Sequence, residues 1–271
     1  MVLKVENIED IMEKFAPSML KEDYDNVGLM VGDSESEVTK ILIALDCTLD
    51  VISEAVDRGC NFILTHHPLL FLKPKTITVN TLVGKKIIEL IVNGINVYSS
   101  HTNLDSAMGG LNDIVTEILG FNNYKIIEPS ANTDCGEGNS GIGRLVSLDE
   151  PIKLMELCEK VKKTLDTEYI KYVGDNNKLI KTIAIINGSG EDFFDTCVKL
   201  GADCIITGDT RYHHVSDLKE ENIALIDAGH FATEWIPFKI FAEKFKSRLL
   251  ENGYNNEIII SKHTQDPYKV M

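Results

Sequence analysis

Seven histidines occur in the 271-residue chain, at positions 66, 67, 101, 213, 214, 230 and 263. Random placement of so few would give about 0.15 adjacent pairs, yet the chain holds two, His66-His67 and His213-His214. Two other histidines are each followed four residues later by an acid: His101-Thr-Asn-Leu-Asp105 and His230-Phe-Ala-Thr-Glu234. If either stretch is helical, positions i and i+4 share a face, so imidazole and carboxylate can converge. Imidazole with carboxylate is a ligand set suited to Zn, Fe, Ni or Mn. His66-His67 and the two His-x-x-x-acid elements together supply more donors than one tetrahedral ion needs. They point to a two-metal centre with one bridging carboxylate and a shared water made acidic by two cations. The plainer alternatives are hydrogen-bonded turn histidines and helix-capping or salt-bridged pairs. The concentration of all three elements in a chain with few other histidines favours metal. His213-His214 opens a polar helix pattern and reads equally as a solvated face or a substrate contact; His263 sits in a polar tail.

Those donors need strands to carry them. Apolar runs at Ile41–Leu45, Phe62–Leu64, Asn96–Tyr98, Thr182–Ile186, Cys204–Ile206 and Ala224–Ile226 have strand length. Helical patterns lie at 5–15, 49–58, 81–93, 110–119, 152–165, 190–200 and 232–250. The alternation predicts an α/β architecture with mostly parallel central sheets. Each donor element follows a predicted strand, at the edge where ligand sites form in open α/β sheets. Adjacent strand residues point to opposite faces, so His66 and His67 can meet one site only if the chain turns there, and Pro68 favours a turn.

The chain also repeats itself. A shift of 142 residues lays Ile41–His67 over Ile183–Asp209 without a gap, matching Ile41 with Ile183, Gly59 with Gly201 and Thr65 with Thr207. Both copies read strand, polar turn, helix, Gly stop, strand, the Gly taking the left-handed backbone of a helix end. The stretch from Pro129 to Gly143 (PSANTDCGEGNSGIG) is dense in Gly, Ser, Asn and Asp and reads as a long loop between the halves. The expected division is residues 1–128 with 228–271 in one domain and 129–227 in the other. Asn187-Gly188-Ser189-Gly190 joins a strand to a helix; it lacks the Lys-Ser/Thr of a phosphate loop and reads as a tight turn.

Composition narrows the partners. With 27 Lys+Arg against 42 Asp+Glu, the formal charge is −15, a surface that repels nucleic acid and anionic membranes. An anionic substrate would need a local cation. The six cysteines form no CxxC pair, as expected of buried thiols in a reducing compartment. With no apolar run of membrane length and an acidic N-terminal helix in place of an export signal, the expected location is cytoplasmic.

Longer motifs place the chain further. Asp25-Asn-Val-Gly-Leu-Met-Val-Gly32, Thr65-His-His-Pro-Leu-Leu-Phe71, His101-Thr-Asn-Leu-Asp105 and Gly109-Gly-Leu-Asn-Asp113 occur in the first half. Gly188-Ser-Gly190, Gly201-Ala-Asp-Cys-Ile-Ile-Thr-Gly-Asp209, Tyr212-His213 and Asp227-Ala-Gly-His-Phe-Ala-Thr-Glu234 follow. In order and spacing the chain resembles the GTP cyclohydrolase 1 type 2 homologue family, also called the NGG-interacting-factor-three-like family, in its short form. The resemblance implies two similar α/β domains related by a pseudo-twofold, with a dinuclear metal site in the cleft between them. It implies His66, His67, Asp105, His230 and Glu234 as metal ligands, Glu234 bridging, and two divalent ions (Zn, Fe, Mn or Ni) per subunit. His101 matches a position beside the metals, as a proton shuttle or neighbour of the ligands, and His213 is a second candidate for moving protons. A ring-shaped homohexamer is implied as well. The family label implies hydrolytic ring opening of GTP; the residues themselves support metal-dependent hydrolysis of a nucleotide or related small molecule. The competing expectations are a non-catalytic metal-binding or scaffold protein, and an α/β protein without metal.

Overall fold

In the computed structural model, which describes residues 1–130 and 140–271, the apolar runs expected as strands are all strands. The first half contains α1 (Val5–Phe15), β1 (Gly28–Val31), β2 (Lys40–Ala44), α2 (Leu49–Arg58), β3 (Phe62–Thr65), α3 (Leu82–Val92), β4 (Asn96–Ser99) and α4 (Thr102–Ser106). Next come α5 (Leu111–Ile118), β5 (Tyr124–Pro129), β6 (Gly141–Lys153), α6 (Leu154–Thr164), β7 (Lys171–Val173) and β8 (Leu179–Ser189). The chain ends with α7 (Phe194–Lys199), β9 (Cys204–Gly208), α8 (Tyr212–Glu220), β10 (Ala224–Asp227), α9 (His230–Glu251) and β11 (Glu257–Ile260). Two compact units result, Met1–Leu104 with Phe238–Gln265 and Asp105–Pro237 with Asp266–Met271.

The first unit holds a five-stranded sheet in the order β1-β4-β3-β2-β11. Three of its four pairings are parallel; only edge strand β1 runs against its neighbour. Consecutive strand residues are buried on opposite faces, as a parallel sheet covered on both sides requires. Leu42, Ala44, Ile63 and Val97 pack with Val51, Ile52 and Ala55 of α2 and Leu90 of α3. Ile41, Ile43, Phe62 and Leu64 are fully buried too.

The second unit holds six strands in the order β5-β6-β8-β9-β10-β7. Only β8-β9 and β9-β10 are parallel; β5-β6, β6-β8 and β10-β7 are antiparallel. The expectation of mostly parallel sheets therefore fails here. The reason is local: β5 and β6 pair from Pro129↔Gly141 onward, and antiparallel strands need no crossover helix to announce them. Both ends of the expected 129–143 loop are strand, Pro129 closing β5 and Gly141 opening β6; residues 131–139 lie outside the described residues. Alternation again sorts the core. Ile183, Ile185, Cys204, Ile206 and Ile226 face α5 and α6, while Ala184, Ile186, Ile205 and Leu225 face α7 and α8.

The repeat read from the sequence is physical in its registers. Ile41 pairs with Phe62 in the first unit, and Ile183 pairs with Cys204 in the second, the same partners under the 142-residue shift. Both helices end alike: Gly59 and Gly201 have φ of 66° and 80°, and the amides of Cys60 and Ala202 reach back to Ala55 and Cys197.

Five cysteines, at 47, 60, 158, 197 and 204, are buried free thiols. Burial raises their pKa values, those of Cys47 and Cys197 to about 12; Cys135 lies outside the described residues. Among the described residues no helix is long and apolar enough to cross a membrane.

A buried ion pair lies in the second unit. Arg144 of β6, 1% exposed, pairs through Nε with Asp113 of α5 and donates from Nη1 to the carbonyls of Gly141 and Gly143 at 2.8 and 2.9 Å. Asp113 also accepts from the Gly109 amide at 2.5 Å. The Gly109–Asp113 motif thus builds a structural ion pair. Removing one partner of such a pair strands the other, so Arg144→Met is expected to cost about 3–5 kcal/mol in urea unfolding. The double variant with Asp113→Leu should recover part of that loss; a single variant as stable as wild type would refute the assignment.

Candidate metal centre

Parallel strands place their carboxyl ends side by side, so β3 and β4 deliver His66, His67 and His101 to one edge of the first unit. His66 follows β3 directly, is fully buried, and its ring lies 5.7 Å from that of Phe238. Its Nδ1 is 2.8 Å from the Ser100 carbonyl. A carbonyl oxygen only accepts, so Nδ1 carries the proton and Nε2 carries the lone pair. The chain bends at His66-His67, where the sequence leads one to expect a turn; the His67 amide bonds the Leu45 carbonyl at 3.0 Å, and Thr65 Oγ1 donates to the His67 carbonyl at 3.0 Å. His67 and His66 ring centroids are 5.1 Å apart.

The other two imidazoles at this edge of the first unit rest on carboxylates. His67 Nδ1 is 2.9 Å from Asp46 Oδ1, and His101 Nδ1 is 2.9 Å from Asp25 Oδ1. Burial opposes ionisation of Asp25, but the bonds from His101, Thr102 and Asn26 outweigh it and hold its carboxyl well below the usual range. The donor atoms of His66, His67 and His101 lie within 4.8 Å of one another. A carboxylate or carbonyl behind each imidazole is the arrangement that fixes metal-ligating histidines in one tautomer and orientation.

The second unit repeats the device. His230, the first residue of α9, directs Nδ1 to Asp209 Oδ2 at 2.9 Å and Nε2 to Glu234 Oε2 at 3.0 Å. The i, i+4 convergence expected of His230 and Glu234 is therefore present. Two donor atoms about 3 Å apart match the separation of two ligands bonded to one ion at about 2.0–2.2 Å. Glu234 is buried and lies against the Gly188 backbone, where any Cβ would overlap Oε1. The Gly188 amide, at φ 62°, donates to Thr233 Oγ1 at 3.0 Å. Asp105, also buried, accepts from Asn187 Nδ2 at 2.7 Å, and Asn112 bonds both the Asp105 carbonyl and the Asn187 amide. Asn187-Gly188, expected as part of a tight turn, instead lies within β8 where its register with β9 shifts, and this close-packed irregularity seats both acids.

His101 differs from its expected counterpart. α4 begins at Thr102, so His101 precedes the helix, whereas His230 opens α9. The sheet registers show why. Thr65↔Ser99 and Thr207↔Asp227 are matching pairs, and the amides of Ser100 and Ala228 bond the two threonine carbonyls alike. His101 stands two residues beyond Ser99 and His230 three beyond Asp227; Gly229, with φ 86°, is the insertion.

His213 is exposed at the start of α8, its ring 5.3 Å from that of Tyr212. His214 instead approaches buried Glu191 at 3.5 Å, beside the Arg211–Glu191 pair. The orienting acids Asp25, Asp46 and Asp209 escaped the sequence reading as functional residues, although Asp25 and Asp209 sit inside the quoted motifs.

The comparisons with known proteins agree in extent. The family model described as Duf34/NIF3 (NGG1p interacting factor 3) matches residues 3–267. A Clostridium acetobutylicum protein named GTP cyclohydrolase 1 type 2 homolog is 53% identical over 269 residues, covering 99% of each chain. A Clostridium perfringens protein of the same name is 52% identical over 267 residues, covering 98% of this chain and 99% of its own. The crystal structure of a Staphylococcus aureus hypothetical protein, SA1388, superposes with a TM-score of 0.90 at 28% identity and full coverage of both chains.

Gly188→Ala tests the packing of Glu234. A side chain there meets the left-handed backbone penalty of about 1–2 kcal/mol and displaces the carboxylate. The expected outcome is an unfolding free energy, from urea titration, lowered by about that amount, together with weakened metal uptake measured by equilibrium dialysis. Unchanged stability and uptake would contradict the geometry.

Proposed function

Because the chain belongs to the Duf34/NIF3 family, we propose that it is a two-metal hydrolase acting on a nucleotide or related small molecule. The proposed ligands are His66, His67, Asp105, His230 and Glu234, with Glu234 as the bridge. The observation that carries this reading is the shared anchorage of His66, His67 and His230, each bonded at Nδ1 so that Nε2 is the ligating nitrogen. The donor chemistry fits Zn, Fe, Mn or Ni. Bound there, such cations would supply Lewis acidity, acidifying a water and polarising a substrate oxygen. The protein's own groups do the rest. Asp46 and Asp209 hold their imidazoles in one tautomer, Asn187 and Asn112 orient Asp105, and Gly188 admits Glu234. The relatives' names point to a guanine nucleotide as the first substrate to try, and local cations would offset the chain's −15 charge for an anionic substrate.

Protein reconstituted with Zn, Mn or Fe is expected to retain two ions per chain after dialysis and to turn over a member of a nucleotide and phosphoester panel. Chelation should abolish turnover, as should His66→Ala and Glu234→Ala. Full activity in both variants would sink the hydrolytic reading. Stoichiometric metal without turnover would favour the binding or scaffold role.

A ring-shaped homohexamer is the proposed assembly. The first unit exposes Phe71, Leu72, Ile77, Val79, Leu82, Ile91 and Val92 along one stretch of chain, apolar surface of the kind that marks interfaces. Light scattering should return six times the chain mass, and Leu72→Glu with Val79→Glu should lower it; a wild-type monomer would refute the assembly.

A further inference from the structure

Tyr212, at the start of α8, has no part in the candidate metal centre. It is 80% exposed, an aromatic ring left in solvent, and it lines a cavity of about 430 Å³ within the second unit. One wall of that cavity is a single face of α8. Tyr212, Val215, Ser216 and Lys219 recur at the three- and four-residue spacing of a helical stripe. The other wall is β7, a three-residue strand at the edge of the sheet. β7 pairs Val173 with Leu225 and Lys171 with Asp227, and strand alternation puts Lys171 on the same face as Val173. Val173, Val215 and Leu225 pack in one apolar cluster, which gives the cavity an apolar floor.

The charges over that floor favour one sign. Lys171 Nζ stands 2.6 Å from Oδ2 of Asp227, a carboxylate only 2% exposed. Asp227 also accepts from the Thr210 hydroxyl at 2.6 Å and from the Gly229 amide at 3.0 Å. A buried carboxylate needs such donors, and it takes one N–H from an ammonium that carries three. Two N–H groups of a positioned cation remain for a ligand. Lys219 contributes a second, exposed ammonium. Neither acid of α8, Asp217 or Glu220, lines the cavity. Two lysines against Asp227 leave a local positive charge on a chain of −15, and such a spot selects an anion. Tyr212 adds a π face, which stacks on any planar ring. The volume suits a small molecule, whose sites span about 300–1,000 Å³.

We propose that the cleft between α8 and β7 binds a planar aromatic ligand bearing one anionic group, phosphate or carboxylate. The ring stacks on Tyr212 and the anion is held by Lys171 and Lys219. The site needs no metal, so it stands or falls apart from the two-metal reading.

Calorimetric titration of the full chain, with and without chelator, tests the assignment. The probes are adenosine 5′-monophosphate, 4-hydroxybenzoate, uncharged adenosine and inorganic phosphate. At least one of the two aromatic anions is expected to bind, equally with and without chelator, and the tighter one identifies the headgroup. Adenosine and phosphate each carry half of the recognised chemistry and should bind at least about tenfold more weakly. Tyr212→Ala is expected to lower the affinity about 5- to 150-fold, and Lys219→Glu at least about tenfold. Both residues are exposed, so both variants keep the fold. Methyl spectra of the bound protein should shift at Val173, Val215 and Leu225. Failure of both aromatic anions to bind would overturn the proposal, as would equal binding of either half. Binding that chelation abolishes, that both variants retain, or that shifts only other methyls would place the ligand elsewhere and overturn it too.

Discussion

A hydrogen bond at the far nitrogen of each imidazole is the interaction on which the candidate site depends. An imidazole left to itself exchanges tautomers and rotates, presenting a lone pair only part of the time. Here Ser100, Asp46, Asp25 and Asp209 each take one Nδ1. With the proton settled on that side, Nε2 of His66, His67 and His101 is committed as a donor before any ion arrives, while Nε2 of His230 faces Glu234 at 3.0 Å. The bond costs little to maintain because its acceptors are themselves placed by the sheets: Ser100 immediately follows β4, Asp46 follows β2, and Asp209 follows β9.

The fold supplies those positions through parallel pairing. Adjacent parallel strands end together, so residues just past β2, β3 and β4 share one edge of the first sheet, as those past β8, β9 and β10 share one edge of the second. The antiparallel strands β1, β5, β6 and β7 flank these cores. The parallel core, repeated with the same register after 142 residues, bears candidate donors in each unit.

Much of this was legible in the residues. The strands of both parallel cores, the glycine helix stops and the His230–Glu234 pair follow from apolar runs and spacing, because each depends on neighbours close in sequence. Strands β5 and β6 were hidden because turn-forming residues between them dominate the local composition, and their partners are defined by pairing rather than by pattern. The orienting acids were hidden for a different reason. Asp46 lies 21 residues from His67 and Asp25 lies 76 from His101, and an aspartate after a strand has no signature that separates it from a turn residue. Only the folded chain identifies the proton acceptor behind each ring.

The two units also show how one scaffold can yield two different donor clusters. Position for position, His66-His67 in the first repeat corresponds to Gly208-Asp209 in the second. The second unit therefore has, after its middle strand, an orienting acid where the first has two imidazoles. It recovers its imidazole one strand later, and Gly229 shifts that residue by one so that it opens a long helix instead of preceding a short one. On α9 the imidazole gains a partner one turn on, Glu234 at 3.0 Å, and becomes a mixed nitrogen–oxygen donor. His101, one residue earlier in the equivalent register, is turned instead toward Asp25 and the neighbouring imidazoles. A nitrogen-rich cluster in the first unit and a carboxylate-bearing one in the second follow from one exchanged dipeptide and one inserted glycine.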